Sequence, residues 1–299
     1  MSQENRPVWR SMLFVPAHVD KFVAAAHTRG ADALILDLED SVPPSHKAEA
    51  RSQLAASART VTQAGASALV RINADPTLWK DDLDAAIGPA VRALMLPKVE
   101  FARQVNEIDA RVGELEQQRG LAQGHTLLIA QIEHVCSLPM MDAIATTSAR
   151  LLGMILGSED FSASAGMEPT RETLFGPNQQ LVFACRRAGL LPFGFPGSIS
   201  LFRDIDGFRE LIRLARRMGF VGSYAIHPNQ VAVMNQEFAP SAEEIAWARG
   251  LIEAWAVAQA AGRGAFEFQG RMVDPPVVAR AQEVLRRAAG PRKQLSEKR

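Results

Sequence analysis

Eight short apolar runs, each four to six residues long and separated by amphipathic helical stretches, constrain this chain to a parallel sheet with crossover helices. The strand candidates are Met12–Val15, Ala33–Leu36, Ala68–Ile72, Ala93–Leu96, Leu127–Ile132, Gly153–Leu156, Leu190–Phe193 and Ser223–Ile226. Helical patterning falls between them at Asp20–Arg29, Lys47–Ala64, Trp79–Ala86, Phe101–Arg119, Pro139–Thr146, Gly176–Ala188, Phe208–Met218 and Gln230–Gln236. Gly30, Gly189 and Gly219 follow their helices where a left-handed stop is expected. Eight such units most simply close into an α/β fold, the (β/α)8 TIM barrel. With 299 residues, of which 47% are hydrophobic, the chain is long enough for one such barrel and an extension.

The barrel pattern occupies residues 1–238, and residues 239–299 form a C-terminal helical extension. Pro240 and Ser241, with Glu243 and Glu244 in the first turn, open a long helix over Ala242–Ala261. Gly262–Gly264 ends it, a short segment runs from Ala265 to Pro276, and a final helix continues through Arg287. The charged tail from Pro291 to Arg299 is expected to fray.

Lys plus Arg and Asp plus Glu both number 33 and are interspersed, so no basic field for nucleic acid exists. The first seven residues carry charge and proline where a signal peptide has an apolar run, and no stretch has the length of a membrane span. A soluble, cytoplasmic protein with no membrane partner is expected. Cys136 and Cys185 match no zinc or redox spacing and read as two buried thiols.

Polar residues recur at the carboxyl ends of the strand candidates, the end at which barrels of this kind build their sites. The second strand runs into Asp37, Glu39 and Asp40, and the third into Arg71 and Asn73. Lys98 follows the fourth, Glu133 and His134 the fifth, Ser158 to Asp160 the sixth, and His227 the eighth. Glu133 and Asp160, on adjacent strands, can supply oxygen ligands to a hard divalent ion, and Mg²⁺ suits them. Each acid alone could equally cap the helix that follows it. Softer metals are disfavoured, because His134 should point away from Glu133 along an extended strand. Arg71 closes an otherwise apolar strand; its planar fork suits a carboxylate or enolate oxygen, or an internal pair with Asp37 or Glu39. His227, before Pro228, reads as either a packed hydrogen-bonding group or a functional one.

With these residues stand RSMLFVP (Arg10–Pro16), LDLEDSV (Leu36–Val42), VRIN (Val70–Asn73), LPKVE (Leu96–Glu100), QIE (Gln131–Glu133), GSEDF (Gly157–Phe161) and IHPNQ (Ile226–Gln230). Together they resemble the HpcH/HpaI aldolase/citrate lyase family, in its citrate lyase β-subunit-like branch, from about Arg10 to about Ala288. The resemblance implies a barrel that is usually trimeric, Mg²⁺ at Glu133 and Asp160, and a catalytic Arg71. QGRMVD (Gln269–Asp274) is similar to the segment that closes over a neighbouring subunit in CoA-dependent members, which implies a catalytic Asp274; capping the last helix is its other reading. By the same resemblance Phe14, Lys21, Ile226 and His227 contact the acyl-CoA thioester; Asp37 and Glu39 are read as orienting Arg71 and metal-bound water. Two positions depart from the pattern. Phe195–Ser198 replaces an Ile-Asp pair common in relatives, and Ala25 stands where some carry a basic residue for CoA.

The implied reaction is Mg²⁺-dependent cleavage of a short 3-hydroxyacyl-CoA, of the citramalyl-CoA or malyl-CoA type, to a 2-oxo acid and an acyl-CoA. Condensing or thioesterase activity, an aldolase free of CoA, and a citrate lyase β-type subunit acting on a carrier-protein thioester are the alternatives.

Overall fold

The computed structural model describes residues 7–200 and 202–288. They divide between Phe238 and Ala239 into two compact units. The first is an eight-stranded parallel barrel: β1 (Ser11–Pro16), β2 (Ala33–Asp37), β3 (Ser67–Arg71), β4 (Val91–Leu96), β5 (Leu127–Ile132), β6 (Leu151–Leu156), β7 (Leu191–Phe193) and β8 (Ser223–Ala225). β2, β5 and β6 are buried at every position, as strands covered on both faces must be.

β1 pairs with both β2 and β8. Between β7 and β8, the Val221 N–H donates to the Pro192 carbonyl at 3.0 Å and the Gly194 N–H to the Gly222 carbonyl at 2.9 Å. Gly222 makes this closure possible, because a Cβ there would lie 1.9 Å from the Trp9 carbonyl oxygen. The expected eight strands are all present, with ends shifted by at most two residues.

The helices are α1 (Asp20–Ala26), α2 (Lys47–Val61), α3 (Trp79–Ala86), α4 (Ala102–Gln118), α5 (Met141–Ala145), α6 (Ser158–Ala165), α7 (Arg171–Arg187), α8 (Ile205–Met218) and α9 (Pro228–Glu237). α8 begins three residues before Phe208 and α2 ends three before Ala64, and two departures are larger. α6 occupies residues read as a strand-end turn, and α7 starts five residues before Gly176 because Thr170 caps it by accepting from the Thr173 N–H. Pro177 sits in the second turn of α7. No helix among the described residues is long and apolar enough to cross a membrane.

The second unit contains α10 (Ala242–Ala260), a hairpin of β9 (Phe266–Phe268) and β10 (Arg271–Val273), and α11 (Pro275–Ala288). Ala248, Leu251, Val273, Val278 and Ala281 form its core. Ser241 and Glu244 cap α10 reciprocally, at 2.7 and 3.1 Å. The hairpin was not expected from sequence; Gln269 and Gly270 turn it with φ of 51° and 74°. Residues 291–299, the expected frayed tail, and residues 1–6 lie outside the described residues.

Candidate active site

Asp37 and Arg71 are register partners at the last positions of β2 and β3, so neighbouring strands deliver opposite charges to the same end of the barrel. Arg71 donates from Nε and Nη2 to the two Asp37 oxygens at 2.7 and 2.8 Å. The backbone N–H groups of Glu39 and Ser41 donate to the same carboxylate. Burial opposes ionisation of Asp37, but the guanidinium and these donors prevail and hold it below the usual carboxylate value. The Phe14 ring lies 4.8 Å from the guanidinium carbon. Arg71 Nη1 is left facing Glu39 Oε2 at 3.1 Å. The internal pair expected for Arg71 is present, and the residue also lines the cavity at the mouth.

Lys98 ties this pair to β5. Its Nζ donates to Glu39 at 2.9 Å, and its backbone N–H donates to Glu133 Oε2 at 2.7 Å. That N–H is aimed by a left-handed backbone, φ 51°, a conformation costing a non-glycine residue about 1 kcal/mol or more. Gln131, two residues before Glu133 and so on the same face of β5, donates to Glu133 Oε1 at 2.7 Å. The other side of Glu133 packs on Gly157, where a Cβ would lie 2.6 Å from its Cγ and Oε1.

Glu133 is 3% exposed. Burial first, and then the Glu39 and Asp160 charges, push its carboxyl up to about 8. Burial likewise raises Glu39. Glu39 Oε2 and Gln131 Oε1 are buried without a hydrogen-bond partner, the former with only its ion contact to Arg71. The carboxyls of Glu133 and Asp160 line one cavity with Gln131, whose carbonyl oxygen is the orphaned one. This all-oxygen set fits a hard divalent cation and would not suit a soft one.

Asp160 projects from the first turn of α6 and is exposed, rather than standing on the end of β6 as expected. With Phe14, Asp37, Arg71, Gln131, Glu133, Glu159, Tyr224 and Ile226 it lines a cavity of about 250 Å³. Ser198 Oγ donates to Glu159 at 2.6 Å, so the departing segment after β7 reaches this wall. Glu39 is not among these walls and pairs with Arg71 Nη1.

Lys21 and His227 are not among the cavity walls. Lys21 is exposed in the first turn of α1. His227 caps α9: its Nδ1 accepts from the Asn229 N–H at 3.2 Å, and its ring stacks on Phe202. Asp274 belongs to the second unit, where Oδ1 accepts from the Val277 N–H at 3.3 Å. Cys185 is buried as expected, whereas Cys136 is only half-buried, because the loop after β5 holds it beside His134 and Glu100. Sequence reasoning did not single out Tyr224, and left Gln131, Glu159 and Lys98 as motif or strand-end residues among several. Alternation along β5 could have found Gln131 from Glu133.

A parallel barrel whose mouth gathers buried acids around a fixed arginine is that of a TIM-barrel enzyme. Residues 10–228 match the HpcH/HpaI aldolase/citrate lyase family, and the chain belongs to it and is a lyase. It is 32% identical to the citrate lyase subunit β of Leuconostoc mesenteroides subsp. cremoris over 95% of this chain and 94% of that one. It is 35% identical to an L-malyl-CoA/β-methylmalyl-CoA lyase of Cereibacter sphaeroides, over 91% of each. The crystal structure of protein CitE from Mycobacterium tuberculosis, in complex with magnesium, acetoacetate and coenzyme A, superposes with a TM-score of 0.74. Identity there is 31%, covering 95% of this chain and 98% of that one.

Proposed function

We propose that this chain is a Mg²⁺-dependent CoA-ester lyase that cleaves a short 3-hydroxyacyl-CoA, of the citramalyl-CoA or malyl-CoA type, into a 2-oxo acid and an acyl-CoA. The observation that carries this reading is the meeting of Glu133, Asp160 and Arg71 on one cavity. Two similar proteins, the malyl-CoA lyase and the citrate lyase subunit β, and a similar structure with magnesium and coenzyme A bound, support it.

Glu133 and Asp160 would hold Mg²⁺, which supplies a hard Lewis acid for the carboxylate and adjacent oxygen of the 2-oxo acid portion. Arg71, fixed by Asp37, balances the negative charge that gathers on oxygen as the carbon–carbon bond breaks. The hydroxyl proton passes to solvent water as the 2-oxo acid carbonyl forms, and the bonding electrons pass to the thioester side as an enolate, which leaves the acyl-CoA carbon to be protonated. Asp274, reaching in from a neighbouring subunit of a homotrimer, returns a proton to that carbon. Phe14 and Ile226 bound the thioester end, while Lys21 and His227 meet the CoA moiety beyond the mouth. The setting is cytoplasmic.

The test is a screen of hydroxyacyl-CoA thioesters with Mg²⁺, followed by mass analysis. Paired release of a 2-oxo acid and an acyl-CoA is expected. No acyl-CoA from citramalyl-, malyl- or related thioesters overturns the reading. The likeness to a citrate lyase subunit favours one other: if only a carrier-protein thioester is cleaved, the chain is a subunit of that kind.

A further inference from the structure

We propose that Glu100, His134 and Cys136 form a second metal site, distinct from the Glu133–Asp160 pair, that takes one divalent cation of the zinc class. Their ligand atoms all lie within 4.8 Å of one another. His134 Nδ1 is 2.9 Å from Cys136 Sγ, and Cys136 Sγ is 3.4 Å from Glu100 Oε2. Around a tetrahedral Zn²⁺, bonds of 2.0–2.3 Å put ligand atoms roughly 3.5 Å apart, so small side-chain adjustments suffice. One nitrogen, one sulfur and one oxygen make a borderline donor set, unlike the all-oxygen set of the cavity.

Two loops supply it. His134 and Cys136 follow β5 directly, and Glu100 follows β4 by four residues. The local hydrogen bond from the Cys136 N–H to His134 Nδ1 at 3.2 Å explains why those two lie close. Glu100 comes from the other loop and accepts from the Cys136 thiol at 3.4 Å. His134 is exposed and the other two are half-buried, so a cation can enter and water can fill a fourth position. On binding, the Cys136 thiol proton leaves to solvent and the cation offsets the Glu100 charge beside the thiolate. The consequence is a staple across the two loops that carry Lys98 and Glu133.

The experiment is a Co²⁺ titration of the intact protein in saturating Mg²⁺. One equivalent is expected to produce a thiolate-to-cobalt charge-transfer band in the near ultraviolet. Cys136→Ser should abolish the band, while Cys185→Ala and Glu133→Gln keep it. Glu100→Gln should weaken Zn²⁺ binding by roughly tenfold or more. No thiolate band at one equivalent, or a band surviving Cys136→Ser, overturns the proposal. In the unsubstituted protein, one equivalent of Zn²⁺ should slow alkylation of Cys136 by roughly tenfold; undiminished alkylation also overturns it. Glu133→Gln separates this site from the proposed lyase metal.

Discussion

Arg71 delivers two parallel hydrogen bonds to Asp37, at 2.7 and 2.8 Å, from the last positions of neighbouring strands. A bidentate pair fixes both the plane and the direction of the guanidinium, which a lysine ammonium cannot reproduce. Arg71→Lys is therefore expected to lower kcat by roughly 100-fold or more while leaving Mg²⁺ affinity nearly unchanged. Arg71→Ala leaves Asp37 charged, 1% exposed and without its main partner, a loss of about 3–5 kcal/mol in urea unfolding. Turnover near wild type in Arg71→Lys would remove the fork from the mechanism.

Glu133 predicts a pH dependence of metal binding. Its carboxyl moves from an ordinary 4.5 to about 8 in the folded, metal-free protein. The folded state therefore holds a proton that the unfolded chain has released, and stability falls as pH rises from 4.5 to about 8. A cation must displace that proton. Mg²⁺ affinity is expected to rise by up to about tenfold per pH unit through this window and to flatten above it. Calorimetry in buffers of different ionisation enthalpy reads the released proton directly. Glu133→Gln should abolish binding yet raise the melting temperature of the metal-free protein at pH 8. Affinity that does not change with pH contradicts this assignment.

Gly157 gives a geometric test. An alanine Cβ would lie 2.6 Å from Glu133 Cγ and Oε1, so Glu133 must leave the hydrogen bonds from Lys98 and Gln131. Gly157→Ala is expected to weaken Mg²⁺ binding by roughly 10–100-fold without changing the far-ultraviolet circular dichroism. Unchanged affinity would place the ion elsewhere than against Glu133.

The barrel was legible because strands buried on both faces read as unbroken apolar runs, and because glycines mark the helix ends. α6 was not, since its eight residues begin within the polar run that ends β6, and a run of that kind reads as a loop. The start of α7 was hidden by Gly176 and Pro177, residues that ordinarily break helices, although this helix begins before both of them. The Asp37–Arg71 pair was legible because both residues end strands. The Lys98 N–H contact to Glu133 was not, because it depends on a left-handed backbone at a residue type that rarely adopts one.

Asp274 separates a chemical role from a capping one. Its Oδ1 accepts from the Val277 N–H at the start of α11, and asparagine caps helices about as well as aspartate. Asp274→Asn is therefore expected to unfold within a few tenths of a kcal/mol of wild type, whereas Asp274→Ala loses about 1 kcal/mol. If the carboxyl carries the proton to the acyl-CoA carbon, both variants lose roughly 100-fold or more in turnover and keep Mg²⁺ affinity. Wild-type turnover in Asp274→Asn would leave capping as its whole role. The neighbouring-subunit arrangement has its own readout. Mixing inactive Asp274→Asn with inactive Arg71→Lys under exchange conditions should restore part of the activity, because some mouths then receive an intact Arg71 from one chain and an intact Asp274 from another. No recovery after demonstrated exchange would place Asp274 in the same chain as the mouth it serves.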